Sequence, residues 1–213
     1  MKYFNGLNMG EGIVGGSDVG MRTTQIYTCM GIAFANTRTQ RGGLYHYPAD
    51  CLGNANVVGT IRQMLNDVAP DVVVVTPAMA QGYGQLTGSS RDDIDGVEAL
   101  LKQLGAPSVT VAEPRTSAVL VWNATGPVFN EVPDETGRAV ASEIRGTMST
   151  GRRELEAGVW YYGGDGEQGD LLDQGLPASP PSSSTSASTG ASASGGGRRR
   201  STKESAKGCC IIM

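Results

Sequence analysis

The 213-residue chain carries 17 Lys or Arg against 21 Asp or Glu and has four cysteines. That length predicts one fair-sized domain plus a tail, and an acidic body argues against a nucleic-acid partner. The cysteine count predicts no disulfide framework and a reducing compartment, and no apolar run approaches the ~20 residues of a membrane span.

The first residues, Met1-Lys2-Tyr3-Phe4-Asn5-Gly6, lack the long apolar core of a secretory signal. Gly10-Glu11-Gly12-Ile13-Val14-Gly15 fits Gly-x-Gly-x-x-Gly. Dinucleotide binding needs a strand before that motif and a helix after it, and neither is evident. Residues 26–34 are predicted as a buried strand, and Gly43 to Tyr47 as a second strand stopped by Pro48. Val57, Val58, Ile61, Met64, Leu65 and Val68 recur at helical spacing over 57–68. Asp71 to Val75 predicts another buried strand. A second helix follows over 92–104, with Ile94, Val97, Leu100, Leu101 and Leu104 on one face and Gly105 as its stop. Residues 108–111 and 118–122 read as further strands, and a turn at 123–126 leads into Pro127-Val128-Phe129. No internal repeat is visible. Together these elements predict an α+β fold, a two-layered β-sandwich-like core with flanking helices, over residues 1–162.

Composition changes from about Gly163. Residues 163–197 are a Gly/Ser/Pro-rich linker that cannot bury enough apolar surface to offset its ordering entropy. Residues 177–208 are expected to act as a tether with a reach of roughly 30 Å. Residues 198–213 form the third region. Cys210-Ile211-Ile212-Met213 is a prenylation box, and Met in its last place favours farnesyl on Cys210. Cys209 beside it offers a palmitoylation site. One lipid chain anchors only marginally, so a second signal is needed. Arg198, Arg199, Arg200, Lys203 and Lys207 supply one, each adding about 1 kcal/mol near an anionic leaflet. The rest of the chain holds 12 basic and 20 acidic residues, so the positive charge is concentrated in this tail. The expected partners of this region are a prenyltransferase of a eukaryotic cytosol and an anionic membrane surface.

The single histidine, His46, lies seventeen residues after Cys29. An antiparallel hairpin centred between Thr37 and Arg38 puts the two directly opposite each other, with Cβ atoms ~4.5–5.5 Å apart on one face. A one-residue slip would separate them. The chemistry is specific. A free thiol is mostly protonated at neutral pH, a neighbouring imidazolium stabilises its thiolate, and the same ring can protonate a departing amine. A third group should orient the ring. Thr23, six residues before Cys29, is the first choice, with Thr24 and Gln25 as alternatives. Spacing alone favours the plainer reading, with Cys29 a small core residue and His46 a structural histidine.

Thr23, Cys29 and His46, with Gly42-Gly43-Leu44-Tyr45-His46-Tyr47-Pro48 around the histidine, resemble the chemoreceptor glutamine deamidases. That family carries a Thr-Cys-His set at this spacing. The later order of helix, strand, helix, strand and strand is similar too, and the resemblance covers about residues 10–130. The cytotoxic necrotizing factor group of bacterial toxins shares the fold and catalytic layout and deamidates glutamine in host proteins. The resemblance implies Cys29 as nucleophile, His46 as base and acid, and Thr23 as the ring-orienting group, with no metal or organic cofactor. The family has Gly-Ser before its cysteine, where this chain has Tyr27-Thr28.

With the lipid signal, the resemblance implies a bacterial effector that enters host cells, is farnesylated there, and modifies a membrane-associated host protein. A Rho-family GTPase is the substrate suggested by the necrotizing factors. A thiol protease and a transglutaminase are alternatives on the same scaffold, and a prenylated adaptor without catalysis is the alternative outside enzymology. Cys51, soon after the histidine strand, is a rival nucleophile read as structural. Asp165 to Asp170 lacks calcium-loop spacing. Trp122 and Trp160 read as core aromatics. The chain has no Gly-x-x-x-x-Gly-Lys-Ser/Thr loop for nucleotide hydrolysis.

Overall fold

Period-two burial builds two sheets, and period-3.6 burial covers one of them with helices. The computed structural model describes residues 2–5, 7–24, 26–79, 88–131, 138–139 and 151–163. Its strands are β1 (Lys2–Asn5), β2 (Gly12–Gly16), β3 (Val19–Thr24), β4 (Met30–Asn36), β5 (Arg41–Tyr47), β6 (Val72–Pro77), β7 (Val109–Val111), β8 (Ser117–Asn123), β9 (Gly126–Phe129), β10 (Arg138–Ala139), β11 (Arg152–Glu156) and β12 (Val159–Tyr162). Helix α1 (Ala55–Val68) joins β5 to β6, and α2 (Arg91–Gln103) joins β6 to β7. One sheet has the order β10-β1-β3-β8-β9 and the other β11-β12-β2-β5-β4-β6-β7. The expected α+β architecture is present, as a sandwich with both helices packed on the outer face of the larger sheet.

β4 shows why the layers assemble this way. All seven of its residues are buried, because both its faces are covered. Met30, Ile32 and Phe34 enter the core under the helices with Val57, Ile61, Met64 and Val97. Ala33 enters the core between the sheets with Leu44, Met21 and Leu120. The odd-numbered side is built from small residues, which lets the second sheet approach closely. Gly31 is the extreme case: a Cβ there would lie 2.1 Å from the Cβ of Ala118.

Helix ends follow their chemistry. Asn54 caps α1 by accepting from the N–H groups of Asn56 and Val57, and Ala69 closes it in the left-handed region. Ser90 caps α2, Asp92 and Asp93 lie in its first turn, and Lys102 lies in its last. The Gly10–Gly15 motif forms a turn and then β2, which pairs with β5 and is followed by β3 rather than by a helix.

Two expectations about the hairpin need correction. Residues 26–29 are not strand: β4 begins at Met30, and Tyr27 to Cys29 form a bend before it. The register also differs by two residues, since Gly31, not Cys29, pairs with His46. Asn36 sets this register. Its side-chain oxygen accepts from the N–H groups of Arg38 and Thr39, and Gln40 takes a positive φ of 53°. Asn36 therefore pairs with Arg41, and the turn is centred one residue later than the sequence suggests.

Candidate active site

A two-residue shift in register preserves the face of every side chain. His46 follows the parity of Leu44 and points between the sheets, whereas Tyr45 and Tyr47 point to the helix side. Burial pushes both phenols up, Tyr45 through desolvation and Tyr47 through desolvation and then the Asp93 charge. Cys29 belongs to the core between the sheets, on the histidine's side. Extended pairing would put it level with Pro48, diagonal to His46; diagonal neighbours on one face are typically ~7–8 Å apart. Cys51 packs in the helix-side core, across the sheet from the imidazole.

The ring of His46 is held from outside its own sheet. Its Nδ1 lies 2.8 Å from the Thr23 hydroxyl of β3 and 3.0 Å from the Leu7 carbonyl. Thr23 also donates its hydroxyl proton to the Leu7 carbonyl at 2.9 Å. A carbonyl only accepts, so Nδ1 carries the proton and shares it between Leu7 and the Thr23 oxygen. In the neutral ring, Nε2 therefore keeps the lone pair. That Nε2 is buried and has no hydrogen-bond partner among the described residues. Desolvation lowers the ring to about 4, opposed in part by the Leu7 carbonyl, so the imidazole is neutral at pH 7. A neutral ring with a fixed tautomer and an unengaged lone pair has the form of a general base.

Residues without a sequence signature complete this grip. The segment from Leu7 to Glu11 crosses between the sheets and docks on β5: Gly10 N–H donates to the His46 carbonyl and His46 N–H to the Glu11 carbonyl, both at 2.8 Å. The buried Glu11 carboxylate accepts from Asn8 N–H at 2.8 Å, shaping the turn that presents Leu7. The contribution of Leu7 is a backbone carbonyl, which no residue pattern encodes. Gly31 matters by what it lacks. It sits opposite His46, and a Cβ there would push away Ala118, the partner of Thr23 in the facing sheet. Thr76, on the other side of Gly31, makes a second tie between the sheets: Asn130 donates to its hydroxyl at 2.9 Å.

The expected triad thus divides into a pair in direct contact, Thr23 and His46, and a cysteine on the same face in the adjoining bend. Thr24 lies in β3 beyond Thr23, and Gln25 lies outside the described residues. So do Cys209, Cys210, Arg198, Arg199, Arg200, Lys203 and Lys207. Cys29 is 4% exposed and His46 3%, so a substrate must displace part of the cover to reach both. Tyr27, in the bend that carries Cys29, and Met79, next to the Ala78 that Ser89 ties to that bend, are two of the exposed large hydrophobic residues among those described.

No protein-family model matches the chain, and no curated protein matches it.

Proposed function

We propose that the protein is a cysteine-dependent protein glutamine deamidase. One observation carries this reading: the only imidazole of the chain is kept neutral by its burial and oriented by Thr23 and Leu7, with its Nε2 unpartnered among the described residues, on the face that also carries Cys29. The resemblance to the glutamine deamidases, set by Thr23, Cys29 and the Gly-Gly-Leu-Tyr-His context, supports the same assignment.

Nε2 takes the Cys29 thiol proton as sulfur attacks the side-chain carboxamide carbon of a glutamine. The imidazolium that forms is stabilised by the Leu7 carbonyl, whose hydrogen bond to Nδ1–H strengthens with the charge. Backbone N–H groups near Cys29 hold the developing oxyanion. Nε2–H then protonates the departing ammonia, leaving a thioester. Water attacks the thioester, Nε2 takes its proton and returns one to sulfur, and glutamate is released. Exposed Tyr27 and Met79 beside the bend suit the apolar flank of a protein substrate better than a free amino acid.

The tail adds a location. With farnesyl on Cys210, a second lipid available at Cys209 and the basic run from Arg198 to Lys207, the enzyme works on the cytosolic face of a host membrane. There, shared attachment raises the effective concentration of a lipid-anchored substrate such as a Rho-family GTPase.

Mass spectrometry of host proteins after expression of wild type and Cys29→Ala tests the reaction. The wild type is expected to add about 1 Da to a glutamine of its target, the exchange of –NH2 for –OH on hydrolysis of the acyl intermediate, and Cys29→Ala is expected to add nothing. An unchanged gain in Cys29→Ala overturns the reading. Shortened products indicate a protease, and an incorporated amine indicates a transglutaminase.

A further inference from the structure

The ladder between β4 and β6 stops one rung short of Cys29, and Ser89 stands where the next rung would form. His46 engages Gly10 and Glu11 through its backbone, so even-numbered residues of β5 bond to the β2 side. Antiparallel alternation then gives the odd-numbered residues of β4 to β6. Gly31 with Thr76 and Ala33 with Val74 are such pairs, and Cys29 with Ala78 would follow. Instead, Ala78 N–H donates to Ser89 Oγ at 2.8 Å, and Ser89 N–H donates to the Ala78 carbonyl at 3.3 Å. The Ser89 hydroxyl passes its own proton to the Cys29 carbonyl at 2.9 Å. A direct rung would span one N–H···O contact of about 2.9 Å; here a hydroxyl oxygen is interposed. The next residue, Ser90, caps α2, so the inserted group is anchored by a helix.

We propose that Ser89 is a positioning residue for Cys29: spliced into the sheet between Ala78 and the Cys29 carbonyl, its hydroxyl holds the Tyr27–Cys29 bend out of the β4–β6 ladder, so that the thiol meets the Nε2 of His46. The inference rests on the reading of Cys29 as nucleophile. Removing the hydroxyl lets Ala78 N–H close directly on the Cys29 carbonyl, which draws the cysteine into the ladder.

The test is alkylation of Cys29 by iodoacetamide in the full chain, followed across pH by peptide mass spectrometry, for wild type and the Ser89→Ala, Ser89→Thr, Ser90→Ala and His46→Ala variants. Ser89→Ala is expected to slow alkylation at neutral pH about tenfold, a loss of near-attack geometry, and to move the midpoint of the pH profile upward. Ser89→Thr, which keeps the hydroxyl, retains the wild-type profile. Ser90→Ala loses a helix cap without touching Cys29 and controls for stability. A wild-type profile in Ser89→Ala, or an equal slowing in Ser90→Ala, overturns the inference and leaves the deamidase reading intact provided His46→Ala alters the profile. A profile unchanged in His46→Ala removes the deamidase reading and this inference together.

Discussion

Thr23 and His46 form a pair whose separate contributions can be measured. Thr23→Val keeps the shape of the side chain and removes the hydroxyl that shares Nδ1–H with Leu7. The ring keeps its Leu7 bond but loses lateral restraint. We expect kcat to fall by up to about 10²-fold, the cost of a small misplacement of a reacting group, while KM holds; steady-state kinetics on the deamidated target checks this. His46 also makes a stability prediction. The folded ring titrates at about 4 because it is desolvated, whereas an unfolded chain takes the proton near 6.5. The folded value is the lower one, so the unfolded state binds more protons between the two. The contribution of His46 is therefore complete above about 6.5, declines as pH falls toward about 4, and levels off below. The difference in urea midpoint between wild type and His46→Gln should shrink across that window and stay constant above it. A difference that grows on acidification contradicts the assignment of a neutral, desolvated ring.

Hairpin and helices show which parts of the fold a sequence exposes. Both helices were readable to within two residues, because their apolar spacing and the Gly105 stop after α2 are local. β5, β6 and β8 were readable as apolar runs. β1 to β3 were not, because β2 is rich in glycine and its burial comes from strands distant in sequence. β11 and β12 were missed because β11 is mostly charged and offers no apolar run, its Arg152 and Arg153 lying over the Trp160 and Tyr161 rings of β12. The face shared by Cys29 and His46 was readable from parity. Their register was not, since it depends on Asn36 closing the turn and also donating to the Ala69 carbonyl at the end of α1. Packing between the sheets supplies the prediction for these elements. Gly31→Ala inserts a methyl at 2.1 Å from that of Ala118, so the sheets must part where Thr23 meets His46. Overpacking of this kind costs about 1–3 kcal/mol, and the activity should fall further than the stability does. Adding Ala118→Gly should recover much of both, by urea unfolding and turnover.

The whole chain pairs a sandwich that holds the candidate chemistry with a tail that carries the proposed address. The function proposed for the tail rests on residue types alone, because lipidation is recognised in extended sequence and needs no fold. The body required coordinates, because its grip on the imidazole comes from the Leu7 carbonyl in a segment that crosses between the sheets. The two parts should separate experimentally. Cys210→Ser is expected to move the protein from membrane to soluble fractions of host cells and to abolish incorporation of an alkyne-tagged farnesyl precursor. Deamidation of target in a detergent lysate should be unaffected. Loss of lysate activity in Cys210→Ser would show that the tail serves the chemistry itself.

The imidazole is mounted on one layer and clamped by groups belonging to the other layer and to the strap between them. The proposed turnover therefore depends on how the layers sit against each other, not only on whether each is formed. Gentle warming or low denaturant that lets them slide should extinguish the proposed catalysis while circular dichroism still reports full strand content, making that activity a sensor of interlayer slip.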